Sequence, residues 1–253
     1  MEETAIEFVD VHKSFRGQKV LDGLDLRIAR GRTTVIIGRS GGGKSVTLKH
    51  MIGLMRPDNG KVLVHGQDIC ALSKSEAMQV RRQFGMLFQE GALFDSMTVG
   101  RNVAFPLEEH TDLPPERIRE RVAEMLRTVG LPGIEEKMPS ELSGGMRKRV
   151  GLARALVLEP SIVLFDEPTS GLDPIMADAI DRLIHDTQRE SGRTYVVISH
   201  DLQATFKIAD YIAMLYGGKI IAFGTPEEIR ADPNPYLVQF LSGTAQGPAA
   251  PIQ

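Results

Sequence analysis

Thr34-Val35-Ile36-Ile37-Gly38-Arg39-Ser40-Gly41-Gly42-Gly43-Lys44-Ser45 joins an apolar, β-branched run to a glycine-rich loop that ends in Lys-Ser. The last eight residues fit the pattern G-x-x-x-x-G-K-[ST]. The run at 34–37 precedes the loop as a strand should, and residues 46–54 follow it as a helix should. Glycines let the backbone wrap closely around phosphate oxygens and aim its N–H groups inward. A helix starting near Lys44 adds the positive end of its dipole. Lys44 is placed to reach β- and γ-phosphates, and the Ser45 hydroxyl to ligate Mg²⁺. The motif predicts a binder of nucleoside triphosphate, but kinases, GTPases and motor ATPases share it, so it names no reaction.

Outward from the loop, short apolar runs alternate with helical patterns, which predicts an α/β protein. Strands are expected at 6–11, 34–37, 61–64, 84–88, 162–165 and 195–199, with a hairpin of 211–215 and 219–223 around Gly217-Gly218. Residues 91–160 differ. They hold Pro114-Pro115 and a helix at 116–129, with Ile118, Val122, Met125, Leu126 and Val129 at helical spacing. We read them as a helical insertion between two core strands. The expected organisation is a single domain at 1–241, with a core of about 1–90 and 161–241, helices at about 91–160, and an irregular tail at 242–253.

The chain has 253 residues, 42% of them hydrophobic, enough for one sizeable core. Thirty basic against 33 acidic residues give a net charge of -3, which argues against nucleic acid as the main partner. The single cysteine, Cys70, allows no internal disulfide and fits a reducing cytoplasm. The start, Met-Glu-Glu-Thr, lacks a basic stretch followed by an apolar run, so no signal peptide is expected. No apolar stretch nears the roughly 20 residues that span a bilayer. Any work at a membrane would need another chain to supply the membrane part.

Two further motifs carry chemistry. Ile162-Val163-Leu164-Phe165 runs into Asp166-Glu167-Pro168. A carboxylate at the C-terminal end of a buried strand sits where α/β sheets hold ligands. Asp166 is suited to orient a metal ion and Glu167 to accept a proton from the attacking water. Ser143-Gly144-Gly145 opens a helix expected at 147–158 and is a second anion-ready helix start. One nucleotide needs only one such start. Two chains placed head to tail resolve the surplus, with each Ser-Gly-Gly closing over the nucleotide on the other chain's loop.

Leu142-Ser143-Gly144-Gly145 resembles the signature of ABC-type ATPases. Over about residues 5–240 the other parts of that family's pattern stand in its order. The resemblance implies a P-loop NTPase core of ABC type, with an N-terminal antiparallel β subdomain and an inserted α-helical subdomain. It implies ATP and Mg²⁺ as cofactors and a homodimer. By this resemblance Phe15 stacks on adenine, and the whole loop, Gly38, Arg39, Ser40, Gly41, Gly42, Gly43, Lys44, Ser45 and Val46, binds ATP. Glu167, His200 and Gln89 take catalytic roles, and Ser45, Gln89 and Asp166 face the metal. Ser143, Gly144 and Gly145 contact ATP in trans, and Asp173, in Ser170-Gly171-Leu172-Asp173, belongs to the loop that meets the opposite subunit. Two positions depart from the commoner pattern. Phe15 stands where tyrosine is frequent, and Val46 where threonine is, although Ser45 still supplies the metal hydroxyl.

Residues 91–107, the run Met138-Pro139-Ser140-Glu141 through Arg149, and Gln239-Phe240-Leu241-Ser242-Gly243 resemble the ATPases of MCE-type phospholipid transporters, the Mla or Ttg2 systems of Gram-negative bacteria. That resemblance implies an integral permease, a periplasmic MCE-domain lipid-binding protein and, in some systems, a small STAS-domain protein. It implies a peripheral location on the cytoplasmic side of the inner membrane and lipid traffic between the two membranes. The alternative is an ABC ATPase for another cargo, such as an amino acid, an ion or a lipoprotein. A non-transport ABC protein would carry two fused cores or a long coiled-coil insertion, and this chain has neither.

Overall fold

The computed structural model describes residues 3–249; the last four residues of the expected tail lie outside them. The chain divides into two compact units, Met1–Leu72 with Val196–Gln253, and Ser73–Tyr195.

In the first unit, β1 (Thr4–Phe15) and β2 (Gln18–Ala29) form a long hairpin. Its turn, Arg16-Gly17, has φ of 49° and 84°, as a two-residue primed turn requires. Ile6, Phe8 and Val11 point into the core with Leu21, Leu24, Leu26 and Ile28. After β3 (Thr33–Ile37) and α1 (Lys44–Met51) come β4 (Asn59–Val64) and β5 (Gln67–Asp68). The order β2-β1-β4-β5 makes a four-stranded antiparallel sheet, in line with the expected N-terminal β subdomain. Strand β1 is longer than the 6–11 expected from the sequence, and β2 is not among the expected strands. Asp22-Gly23-Leu24-Asp25 interrupts the alternation of β2, and β1 changes register between Phe8 and His12.

In the second unit, α2 (Lys74–Arg81) starts on a capping box of Ser73 and Glu76. There follow β6 (Phe84–Leu87), α3 (Val99–His110), α4 (Pro115–Thr128), α5 (Gly144–Leu156), β7 (Ile162–Asp166) and α6 (Pro174–Ser191). Strands β6 and β7 pair in parallel, from Phe84 opposite Ile162 to Leu87 opposite Phe165. Ile118, Val122 and Leu126 of α4 are buried at i, i+4 spacing. The end of α5 lies on β6 at Gly85, where an added Cβ would meet the Ala155 carbonyl at 2.2 Å.

The chain returns through β8 (Thr194–Ile198), which crosses the division. The Thr194 N–H donates to the Ser161 carbonyl at 3.0 Å, and the Ser199 N–H to the Ile36 carbonyl at 3.3 Å. The first unit is then completed by α7 (Leu202–Ile208), β9 (Tyr211–Tyr216), β10 (Lys219–Gly224), α8 (Pro226–Ala231) and α9 (Pro235–Ser242). Strand β9 runs parallel to β3 and turns back into β10 through Gly217-Gly218, as the sequence predicts. The described part of the tail is irregular but tied down. Gln239 Nε2 donates to the carbonyls of Thr244 and Ala249, and the Ala249 N–H donates to Gln239 Oε1 at 2.8 Å.

Candidate functional site

The phosphate loop lies in the first unit. Every residue of β3 is buried, so the strand ends as a rigid post at Ile37. Gly38 follows with φ 149°, so close to β9 that an added Cβ would stand 2.3 Å from the Leu215 carbonyl oxygen. Gly41 has φ 74° with open space around its missing Cβ. Gly43, at φ 100°, starts α1 without a side-chain cap. The hairpin braces this point, since a Cβ on Gly43 would meet Val20 Cγ1 at 3.1 Å. The Lys44 side chain is buried, and its Nζ curls back to donate to the carbonyls of Gly38 at 2.8 Å and Arg39 at 3.0 Å. An ammonium held this way, on acceptors a phosphate oxygen could replace, suits an anion-binding loop. Ser40, Gly41 and Ser45 are exposed, while Arg39, Gly42 and Val46 are half-buried.

Phe15 ends β1 beside the turn with an exposed ring, 41% accessible, and Lys13 Nζ lies 5.7 Å from its centroid. A largely bare aromatic face is what stacking on a base needs. His200 lies two residues past the end of β8 and is exposed. Asp201 fixes its other side by capping α7, accepting from the Ala204 N–H at 3.1 Å.

The carboxylates lie in the second unit. Strand β7 is buried through Phe165, and Asp166 and Glu167 emerge half-buried at its C-terminal end. Glu167 has φ 49°, a left-handed conformation that costs a non-glycine residue about 1–2 kcal/mol. The turn after it closes with the Ser170 N–H donating to the Glu167 carbonyl at 3.2 Å. Gln89 sits exposed just past β6 and its Nε2 donates to Ser170 Oγ at 3.2 Å, so the structure joins two loops that the sequence quoted separately. Asp173 caps α6, accepting from the N–H groups of Ile175 and Met176.

Helix α5 begins at Gly144, three residues before the expected start at 147. Ser143 is its N-cap, its hydroxyl accepting from the Met146 N–H at 3.3 Å. Ser143 is exposed, Gly144 half-buried and Gly145 buried against Met176. The sequence reading overlooked Lys148, on the same helix. It is buried, and its Nζ donates to the Ser170 carbonyl at 2.5 Å. Burial pushes its ammonium below the ordinary lysine value, while the carboxylates of Glu167 and Glu90 push it back up. The available signal was the basic start of the helix, which reads equally well as a solvated face.

A phosphate loop, a carboxylate pair at a strand end and a Ser-Gly-Gly helix start define an ATP-hydrolysing cassette. Residues 21–170 match the family described as ABC transporter, and the chain belongs to that family. Among relatives, it is 44% identical to the intermembrane phospholipid transport system ATP-binding protein MlaF of Escherichia coli K12, over 98% of this chain and 93% of that protein. It is 45% identical to MlaF of Haemophilus influenzae, over 92% and 89%. It is also 44% identical to the probable ribonucleotide transport ATP-binding protein mkl of Mycobacterium leprae, over 96% of this chain and 70% of that one. Among solved structures, CbiO1 of Clostridium perfringens, part of the ABC transporter complex CbiONQ, superposes with a TM-score of 0.84 at 31% identity, covering 91% of this chain and 92% of that one. The cassette MJ0796, a dimer in a post-hydrolysis state bound to ADP and Pi, superposes with a TM-score of 0.80 at 30% identity, over 87% and 98%.

Proposed function

We propose that the chain energises phospholipid movement between two membranes, as the cytoplasmic ATPase of a permease that it does not itself contain. The observation that supports this most is the length of the match. The two MlaF proteins share 44–45% identity along about nine-tenths of their own length, against 70% for the mycobacterial relative. No helix among the described residues is long and apolar enough to cross a membrane, so a separate membrane subunit fits this reading.

In this reading residues 1–241 act as one ATPase domain, and two copies work head to tail. ATP stacks its adenine on Phe15 and lays its phosphates along 38–46, where the backbone and Lys44 Nζ hold them. Across the dimer, Ser143, Gly144 and Gly145 present the start of α5 to the same phosphates, and Asp173 sets the loop between subunits. The water oxygen attacks the γ-phosphorus, the bond to the bridging oxygen breaks, and Glu167 takes the proton. His200 donates to the γ-phosphate, and Gln89 orients the water.

The hydroxyl of Ser45, the carboxylate of Asp166 and the amide oxygen of Gln89 are hard oxygen donors of the kind Mg²⁺ takes alongside phosphates and water, so the residues present fit that ion. When bound, it would neutralise charge on the phosphates. Homodimerisation, the permease, an MCE-domain protein and a STAS-domain protein are the partners this reading carries, at the cytoplasmic side of the inner membrane.

The permease would meet an apolar groove of the second unit. Met78, Phe84, Phe88, Phe94 and Phe105 line it, with Arg81, Arg82, His110 and Arg154 at its polar edge. Phe94 is 42% exposed there and packs edge-on against Phe105 at 5.1 Å. An exposed aromatic cluster ringed by charge suits a partner helix.

A ribonucleotide cargo, as the mycobacterial relative's name has it, is the second reading, favoured by its equal identity. A deletion strain separates the two. Altered outer-membrane glycerophospholipid with intact ribonucleotide uptake supports phospholipid transport. Unchanged membrane lipids with blocked ribonucleotide uptake would overturn it.

A further inference from the structure

We propose that Lys148 is a positioning residue for hydrolysis, clamping the turn that carries Glu167 so that its carboxylate is held at the attacking water. Its Nζ donates to the main-chain carbonyl of Ser170, a charge-assisted hydrogen bond. Ser170 in turn closes the strained turn from Glu167, through its N–H to the Glu167 carbonyl. The same residue accepts Gln89 Nε2 on its hydroxyl. Ser170 therefore gathers the ends of β6 and β7 onto α5, and Lys148 ties that helix to the turn.

The chemistry of the position argues against mere filling. Lys148 is the fifth residue of α5 and only 5% exposed, a place where a leucine or methionine would pack without desolvating a charge. An ammonium persists there when acceptors and anions answer it. The Ser170 carbonyl and the carboxylates of Glu167 and Glu90 do so, and burial and those carboxylates pull its proton affinity in opposite directions. Glu167 needs the restraint because its φ of 49° is a conformation that surrounding contacts must impose. In the proposed reading the ATP phosphates rest mainly on the loop at 38–46, so loss of the clamp slows the chemical step far more than it weakens nucleotide binding.

This inference rests on Glu167 as the proton acceptor, and the experiment separates the two. The intact transporter, purified with its membrane subunit, is assayed for ATP turnover in four variants. Lys148→Met keeps the stem and removes the charge. A misplaced catalytic group costs on the order of 10²-fold, so kcat falls about 10- to 100-fold while KM for ATP stays within about twofold. Lys148→Arg, which restores a cationic donor, recovers most of the loss. Glu167→Gln alone is slow, and the double variant Lys148→Met/Glu167→Gln is no slower, because the lysine acts through the carboxylate.

Turnover of Lys148→Met within about threefold of wild type, with Glu167→Gln slow, would overturn the proposal and leave Glu167 in place. So would equal losses in kcat and affinity with a lowered Tm, an arginine variant no better than methionine, or additive slowing in the double variant. Wild-type turnover in Glu167→Gln would overturn both readings.

Discussion

The phosphate loop contains two glycines whose substitution should have opposite consequences. At Gly38 an added Cβ would lie 2.3 Å from the Leu215 carbonyl oxygen, about 1 Å inside ordinary carbon–oxygen contact. The obstacle is backbone of β9, which is bonded to β3 on one side and β10 on the other and cannot swing away. Gly38→Ala therefore displaces the loop or the strand. Overpacking of this kind costs about 1–3 kcal/mol, and the φ of 149° adds strain. With about 1–3 kcal/mol for that strain the total is about 2–6 kcal/mol, and at about 2–4 °C per kcal/mol for a chain of this size Tm should fall by about 4–24 °C. Gly41→Ala meets no atom within 4 Å and bears only the left-handed cost, about 1–2 kcal/mol, or roughly 2–8 °C. Its methyl enters open space on an exposed residue of the loop proposed to hold the phosphates. Gly41→Ala should therefore lose ATP affinity about tenfold or more, out of proportion to its stability. Differential scanning fluorimetry without nucleotide, paired with titration of a fluorescent ATP analogue, reads both quantities. A Gly41→Ala protein less stable than Gly38→Ala, or one with unchanged ATP affinity, would rule out these roles for the two glycines.

Two further outcomes follow from particular residues. His50 on α1 is fully buried, its Nδ1 lies 2.7 Å from the Val46 carbonyl, and burial pushes its protonation below the ordinary imidazole value of about 6.5. The unfolded chain then binds the extra proton first, so His50 favours the folded state fully above pH ~6.5 and loses that contribution as pH falls toward its lower folded value. The Tm difference between wild type and His50→Gln should shrink below pH 6, and a difference constant from pH 8 to 5 would contradict it. Phe94→Glu loses an aromatic pair of about 0.5–1.5 kcal/mol and places a carboxylate where Arg154 faces the ring at 5.7 Å. Co-purification with the permease should drop severalfold with ATP affinity within about twofold, whereas parallel loss of both would assign Phe94 to the core.

Much of this molecule was legible as sequence because its site hangs on short buried strands with distinctive ends. Thr33–Ile37 and residues 162–165 are buried on both faces, and the strands run out into residues that stand out in the sequence, Gly38 and Asp166. The hairpin of β9 and β10 announced itself through Gly217-Gly218. Strand β2 did not, because Asp22 and Asp25 break its period where it bulges against β1, and the buried partners of Leu24 and Leu26 are far away in sequence. Helix α6 went unread for a related reason. Its start is marked only by Asp173-Pro174, and its buried Asp181, Thr187 and Gln188 hide the apolar stripe. At the site, motif residues could be named individually, but the bonds among them could not. That Gln89 and Lys148 both converge on Ser170 depends on three chain segments meeting, and no local pattern encodes it.

The role proposed for Glu167 in ATP hydrolysis is open to direct test. Its most direct measurement is phosphate release by Glu167→Gln beside wild type, with ATP binding measured on the same samples. The amide keeps the shape of the side chain and cannot accept the proton. ATP affinity should be unchanged and turnover lower by about 10²- to 10⁴-fold, the usual contribution of a general base. Near wild-type phosphate release from a protein that still binds ATP would contradict that role.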